Sequence, residues 1–209
     1  MQQLNLVDRM LELFQSGGEL MIPLMGLSLI IWTLAIVKGI RFLRERHKET
    51  SPQQCMDMYR HKAGVNKAEP AHWQWDILSR YIDERCEDPE LNREILKSIR
   101  APHEFNAMCS IGTILILSAV APLLGLLGTV TGMITTFDVI SQFGTGNARA
   151  LASGISKALI TTQSGLVVAV PGLILGGLLF RRGEKLKARM ELFCIGLQEL
   201  TDSLTPGRK

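Results

Sequence analysis

The sequence predicts an all-α integral membrane protein in which three transmembrane helices continue into long helical cytoplasmic extensions. Two observations carry this prediction. Residues 20–37, 105–137 and 158–180 contain no Asp, Glu, Lys or Arg, although the 209-residue chain has 23 basic and 20 acidic residues. Each run reaches the roughly 18 to 20 residues that a helix needs to cross a hydrocarbon core of ~30 Å. This segregation of charge excludes a soluble enzyme, a secreted disulfide scaffold and a nucleic-acid-binding domain as the main classes.

Residues 1–19, before the first run, predict a short helix in the outer, periplasmic interface. The apolar positions share one helical face, as amphipathic interfacial helices require: Leu4, Val7, Leu11 and Phe14. A cleaved signal peptide is the alternative. The segment holds three acidic residues against the single Arg9, so it lacks the basic region of such peptides and favours the retained helix.

Basic residues indicate the orientation in the membrane. Five Lys or Arg lie within residues 38–48 and five within 181–189, whereas residues 138–157 hold two. Such clusters are typical of the cytoplasmic side. We therefore expect transmembrane helices over 20–42, 105–137 and 154–180, a cytoplasmic helical region over 43–104, a short periplasmic loop over 138–153 and a cytoplasmic C-terminal helix over 181–209.

The cytoplasmic segments have helical patterns of their own. Proline favours the first turn of a helix and disfavours helix just before itself, and four such signals divide the loop into short helices: Ser51-Pro52, Glu69-Pro70, Asp88-Pro89 and Ala101-Pro102. In the tail, apolar residues recur every three or four positions: Leu186, Met190, Phe193, Leu197, Leu200 and Leu204. This stripe predicts packing against the 52–104 helices or against a neighbouring subunit.

Rows of small residues mark the second and third spans. Helices in lipid associate through close backbone approach, which small residues permit. The positions predicted to pack the helices are Ser118, Ala121, Gly125, Gly128 and Gly132 in one span and Gly165, Ala169, Gly172 and Gly176 in the other. Pro122 and Pro171 interrupt the two helices, and the carbonyls they free need protein or water as partners at membrane depth.

Threonines flank these rows at Thr129, Thr136, Thr161 and Thr162. Their hydroxyls either bond back to their own helix or line an ion path. No span has a carboxylate, His or Lys at its centre, although proton relays in membranes depend on titratable groups. If this chain conducts ions, a partner must therefore supply the acid. The lack of a carboxylate cage favours protons over sodium.

The sequence offers no catalytic centre. It contains no C-x-x-C pair, no phosphate-binding glycine loop and no recognisable nucleophile–base arrangement. We expect no enzymatic activity, no cofactor and no metal, and we interpret the four cysteines as structural thiols. The 38–104 segment has 13 basic and 12 acidic residues, a balance that argues against nucleic acid as a partner.

Two motifs resemble those of the MotA/TolQ/ExbB family. The stretch Ala121-Pro-Leu-Leu-Gly-Leu-Leu-Gly-Thr-Val-Thr-Gly-Met-Ile is similar to the family's second-span signature, and Gly154-Ile-Ser-Lys-Ala-Leu-Ile-Thr-Thr-Gln-Ser-Gly-Leu-Val-Val-Ala-Val-Pro to its third-span signature. Three spans with the N-terminus outside resemble the ExbB and TolQ branches rather than the four-span flagellar stators.

The resemblance implies a subunit of a bacterial inner-membrane proton channel and motor. In the family, five copies form a bundle around a central pore that holds two single-span ExbD-like or TolR-like helices, whose membrane Asp carries the proton. Proton flow then energises TonB, which drives transport across the outer membrane. Thr129 and Thr162 occupy the family's pore-facing threonine positions. The alternatives are a TolQ-like subunit of the Tol-Pal envelope system and a non-conducting membrane scaffold.

One position departs from the family pattern. Many ExbB and TolQ sequences have Glu where this chain has Lys157, which puts in doubt an acidic group in proton entry here. Lys157 either lies at the outer end of the third helix, with its ammonium at the interface, or faces the pore near its mouth.

Overall fold

In the computed structural model, the described residues are 17–60, 71–144 and 148–204. The regular elements of this part of the chain are five helices: α1 (Met21–His47), α2 (Pro52–Arg60), α3 (His72–Glu84), α4 (Pro89–Phe143) and α5 (Ala148–Leu204). Three are long and apolar enough to cross a membrane, within Met21–Glu45, Pro89–Phe143 and Leu151–Thr201. The predicted all-helical class with three candidate spans is confirmed for these residues.

The chain divides into two compact units. Unit 1 comprises Met1–Ala35 and Gly112–Gly177, and unit 2 comprises Ile36–Ile111 and Leu178–Lys209. Unit 1 contains the apolar stretches of α4 and α5 together with the first part of α1. Unit 2 contains α2 and α3 and the more polar stretches of the long helices.

Large side chains form the core of unit 2. Tyr81, Ile77 and Leu197 have no exposed surface. The ring of Trp73 in α3 meets the ring of Phe193 in α5 edge-on, with 5.4 Å between centroids, and Tyr81 Oη lies 3.1 Å from Thr201 Oγ1. The apolar stripe of the tail therefore packs against helices of the 52–104 segment, the first of the two predicted alternatives.

Prolines begin two of the helices. α2 begins at Pro52 and α4 at Pro89, as two of the turn signals predict. Asp88 Oδ1 accepts a hydrogen bond from the backbone N–H of Glu90 at 2.9 Å, which satisfies a donor that the first turn of α4 leaves open. The Glu69-Pro70 signal lies outside the described residues.

The turn predicted at Ala101-Pro102 is wrong, because α4 continues through it. Pro102 and Ser98, whose carbonyl loses its helical donor, are both exposed, so water can satisfy that carbonyl. An ion pair between Arg100 Nε and Glu104 Oε1, 2.8 Å apart, spans the proline on the same helix. Burial of Ile99 on the preceding turn also favours a continuous helix.

Helix covers part of the 138–153 segment, since α4 ends at Phe143 and α5 begins at Ala148. Gly144 ends α4 with φ of 68°, a conformation that glycine adopts without strain. Residues 1–16 of the predicted outer helix lie outside the described part of the chain.

Candidate functional site

In unit 1, α4 and α5 meet along a seam of glycines. We call it the glycine seam and define it by Gly125, Gly128 and Gly132 of α4 and Gly154, Gly165, Gly172 and Gly176 of α5. At its centre the two backbones touch: a Cβ placed on Gly165 would lie 2.8 Å from the carbonyl oxygen of Ala121 and 3.1 Å from Gly125 Cα. Such distances leave no room for a side chain, so the glycines set how closely the helices approach.

The rest of the seam places a side chain of one helix against a glycine of the other. Thr161 covers Gly128, Thr136 covers Gly154, and Ser118 covers Gly172. Ala158 lies against Gly132, where an added Cβ would come 2.8 Å from the Ala158 Cβ. Ala121, Ala158 and Ala169 are buried at 0%, 3% and 2% exposure. The two predicted rows of small residues therefore face each other within one chain.

Both prolines predicted to interrupt the spans lie within continuous helix. Pro122 is inside α4 and Pro171 inside α5, and both are partly exposed. Near Pro122, Ser118 is fully buried and its hydroxyl donates to the Ile114 carbonyl at 2.7 Å. Neither proline ends its helix.

The four threonines have different surroundings. Thr136 and Thr161 are buried in the seam at 4% and 2% exposure. Their hydroxyls donate along their own helices, Thr136 to the Gly132 carbonyl and Thr161 to the Ala158 carbonyl, both at 2.9 Å. Thr129 is half-buried, and its hydroxyl donates to the Leu126 carbonyl at 2.7 Å.

Thr162 differs because its hydroxyl donates across the seam, to the carbonyl of Gly125 on α4 at 3.0 Å. It also lines a shallow groove of about 750 Å³ along α5, whose polar members are Thr162 and Gln163 and whose other lining residues are apolar. A donating hydroxyl keeps its oxygen lone pairs. Thr162 can therefore accept a hydrogen bond from water in this groove while it binds the two helices together.

The side chain of Lys157 packs against Gly18, in the segment before α1. Its Cε and Nζ occupy the space that a Cβ on Gly18 would take, and Gly18 has φ of 73°. The backbone conformation favours glycine at position 18. Lys157 is half-buried.

Sequence reasoning missed two positions of this site. Gly154 belongs to the seam because Thr136 leaves no space for a side chain there, and Gly18 accommodates Lys157. A small residue four positions before Ala158 in the row was a signal for Gly154. No sequence pattern linked Gly18 to Lys157.

Unit 1 provides no acid along the seam. Within its described residues the carboxylates are Glu19 and Asp138, both exposed and near helix ends. No group of three or more His, Cys, Asp or Glu side chains suited to a metal ion occurs in the described residues. The hydroxyls and carbonyls of the seam can solvate an ion or water but cannot take up and release a proton near neutral pH.

The profile of the MotA/TolQ/ExbB proton channel family matches residues 63–192, well over half of the chain. The chain belongs to this family. The match includes the whole glycine seam and all four threonines. With its three apolar helices, the chain is a multi-pass membrane protein of this family.

Curated relatives place the chain in the ExbB-like branch of the MotA/TolQ/ExbB family. It is 33% identical to the putative biopolymer transport protein ExbB-like 1 of Synechocystis sp. over 82% of this chain and 70% of the relative. It is 30% identical to a putative ExbB homolog of Methanothermobacter thermautotrophicus over 80% of this chain and 61% of the relative. The biopolymer transport protein ExbB of Pseudomonas putida is 24% identical over 81% of this chain, which spans 55% of that relative.

Proposed function

We propose that the chain is the ExbB-like subunit of an inner-membrane proton channel and motor. With an ExbD-like partner, it uses the proton motive force to energise TonB-dependent transport across the outer membrane. The observation that carries the proposal is Thr162: it bonds across the seam to Gly125 at 3.0 Å and lines a groove in a span that has no acid.

The wall of the pore is polar without being titratable. Thr129 and Thr162 hold water or hydronium through their oxygen lone pairs, because each hydroxyl proton is already donated to a carbonyl. Thr136 and Thr161 are buried within the chain, so they reach the pore only if α4 and α5 separate. A single-span ExbD-like helix supplies the Asp that carries the proton.

Five copies form the pore in this proposal, around two partner helices. The N-terminus is periplasmic and the C-terminus cytoplasmic, because the basic clusters at 38–48 and 181–189 mark the cytoplasmic side. The polar stretches of the long helices then extend into the cytoplasm. The chain itself carries out no enzymatic reaction, and a TonB-like protein receives the energy.

The ExbB names of the relatives favour this function over a TolQ-like role. A non-conducting scaffold is the remaining alternative, since a glycine seam packs helices whether or not ions pass.

The experiment replaces Thr129 and Thr162 together with Val, which keeps the shape and removes the hydroxyl. Energised uptake of a TonB-dependent substrate is measured in cells that have this chain as their only ExbB. We expect uptake to fall to the de-energised background, because the pore loses its two water-holding groups.

Thr33→Val is the matched control. Thr33 is exposed on α1 and bonds back to the Leu29 carbonyl at 2.7 Å, so this change also removes a back-bonded hydroxyl. Co-purification with the partner checks that both variants assemble. Normal uptake by the assembled double variant would refute the channel and favour the scaffold.

A further inference from the structure

Unit 2 contains a cavity of about 1020 Å³ that no step of the proposed proton path uses. Its walls come from residues 37–45 of α1, Lys48 just after α1, residues 71–76 at the start of α3 and residues 103–107 of α4, with Leu186 and Met190 of α5. The volume is at the upper end of the roughly 300 to 1,000 Å³ typical of small-molecule sites. It can therefore hold a polar headgroup together with the first carbons of a chain.

The charge of the lining is predominantly positive. Four cationic side chains contribute to it: Lys38, Arg41 and Arg44 of α1, and Lys48 just after the end of α1. The carboxylates of the lining are Glu45 and Asp76. Asp76 is already engaged, with Oδ2 at 2.9 Å from His103 Nε2 and 3.4 Å from Arg80 Nε. The remaining positive charge suits an anionic ligand.

Lys38 is the residue that points most directly to an anion. It is 4% exposed, and its Nζ donates to the carbonyl of Asn106 at 2.7 Å and lies 5.6 Å from the centroid of the Phe42 ring. Among the described residues, no carboxylate lies within ion-pair distance of this ammonium. Burying a charge without a close ion pair is costly, and an anion in the cavity would lower that cost.

The position of the cavity along α1 indicates the source of the anion. The apolar run of α1 ends at Val37, and the four cationic residues follow within about three turns. This is where a spanning helix meets lipid headgroups. Trp75, 40% exposed, also lines the cavity, and tryptophan is enriched at that level of a membrane.

We propose that this cavity binds the phosphate headgroup of an anionic phospholipid from the cytoplasmic leaflet. Lys38 and the arginines of the rim contact the phosphate, while Val37 and Ile40 contact the first acyl carbons. Basic pockets at the cytoplasmic ends of membrane helices commonly hold such headgroups. The inference rests on the membrane placement of α1 in the proposed function but not on proton conduction.

The lining favours a lipid over an acidic protein segment or free phosphate. Apolar side chains such as Phe42 and Ala107 stand beside the cationic ones, and a ligand with both a phosphate and hydrocarbon uses both kinds of wall. Free phosphate leaves the apolar wall unused.

The test uses the full chain, purified and freed of lipid in detergent, and counts bound lipids by native mass spectrometry. Phosphatidylglycerol is the probe, and phosphatidylcholine is the comparison lipid without net charge. The variant is Arg41→Gln with Arg44→Gln. Its matched control is Arg181→Gln with Arg182→Gln, which removes the same charge from two exposed residues that do not line the cavity.

We expect one phosphatidylglycerol per chain on the wild type and on the control, and an affinity lower by about tenfold or more on R41Q/R44Q. Lys38→Met is the second variant. It replaces the buried ammonium with an apolar side chain of similar length and should weaken binding without loss of the fold.

Three results would overturn the proposal: equal phosphatidylglycerol binding by R41Q/R44Q and its control, equal binding of phosphatidylcholine, or an occupant other than lipid. The last is tested with inorganic phosphate and with polyglutamate. If either binds the wild type where phosphatidylglycerol does not, the source is not a lipid. The Thr129→Val/Thr162→Val protein should bind phosphatidylglycerol normally, so failure of one proposal leaves the other testable.

Discussion

The interiors of the two units are packed in opposite ways. In unit 1, α4 and α5 meet through glycine and alanine, so closely that a Cβ added to Gly165 would lie 2.8 Å from the Ala121 carbonyl oxygen. In unit 2, large side chains such as Tyr81 and Leu197 fill the core. An ion pair there joins α5 to the loop between α1 and α2, with Arg189 Nη1 2.9 Å from Glu49 Oε2.

The difference agrees with the proposed placement of unit 1 in lipid and of unit 2 in water. Water drives large apolar side chains together, whereas lipid does not distinguish a leucine that faces another helix from one that faces an acyl chain. In lipid, helices gain from close contact and from hydrogen bonds between them. Accordingly, Leu123 and Val167 of unit 1 are exposed on the outer surface at 63% and 65%, while the glycines lie inside.

The largest loss of stability is expected when a core side chain of unit 2 is truncated, because the truncation leaves a void. Leu197→Ala removes a side chain with no exposed surface and should lower the free energy of unfolding by about 2 to 5 kcal/mol. The matched control is Leu192→Ala on the same helix, where the side chain is 66% exposed and the change should stay within about 0.5 kcal/mol. Denaturation in mixed micelles measures both. Equal losses of stability in the two variants would contradict a core of large, packed side chains in unit 2.

A smaller loss of stability, caused by overpacking rather than by a void, is expected in unit 1. Gly165→Ala adds a methyl group 2.8 Å from the Ala121 carbonyl oxygen and should lower the free energy of unfolding by about 1 to 3 kcal/mol. Gly177→Ala is the control, because nothing lies within 4 Å of its added Cβ. Alanine favours helix over glycine by about 1 kcal/mol, so the control should be neutral or stabilising. A stabilising Gly165→Ala would rule out the tight seam.

The smallest effect concerns a thiol of unit 2. Burial raises the pKa of the Cys55 thiol to about 11, from about 8.5 in an unfolded chain. Between these values the folded state keeps a proton that the unfolded state has lost, so the contribution of Cys55 to stability falls as pH rises through this window. At pH 8, iodoacetamide should modify the exposed Cys86 and leave Cys55 intact, as peptide mass mapping would show. Equal modification would contradict burial of Cys55.

The sequence predicted the parts of the fold that depend on composition. Charge-free runs identify spans because a charge in hydrocarbon is costly, and glycines spaced three or four apart identify the face on which helices approach. The turn predicted at Ala101-Pro102 was wrong because packing of the long helix, with Ile99 buried before the proline and Ala107 buried after it, outweighed local proline propensity.

Contacts between residues distant in sequence were not predictable from these patterns. The threonines stood on or beside the two rows, but only coordinates distinguish the buried Thr136 and Thr161 from Thr162, which bonds across the seam. Lys38 belonged to a basic cluster, and its burial against Asn106 depends on residues 68 positions away. The contact between Lys157 and Gly18 likewise joins residues that are distant in sequence.

Proton transfer by a partner's acid is tested by proton flux into liposomes that carry a pH-sensitive dye, with and without the proposed ExbD-like partner. The three charge-free runs of this chain hold no acid, so we expect no flux through the chain alone. With the partner, flux should appear, and it should disappear when the partner's membrane Asp is changed to Asn. Proton flux through the chain alone, or through the complex without that Asp, would contradict proton transfer by the partner's acid.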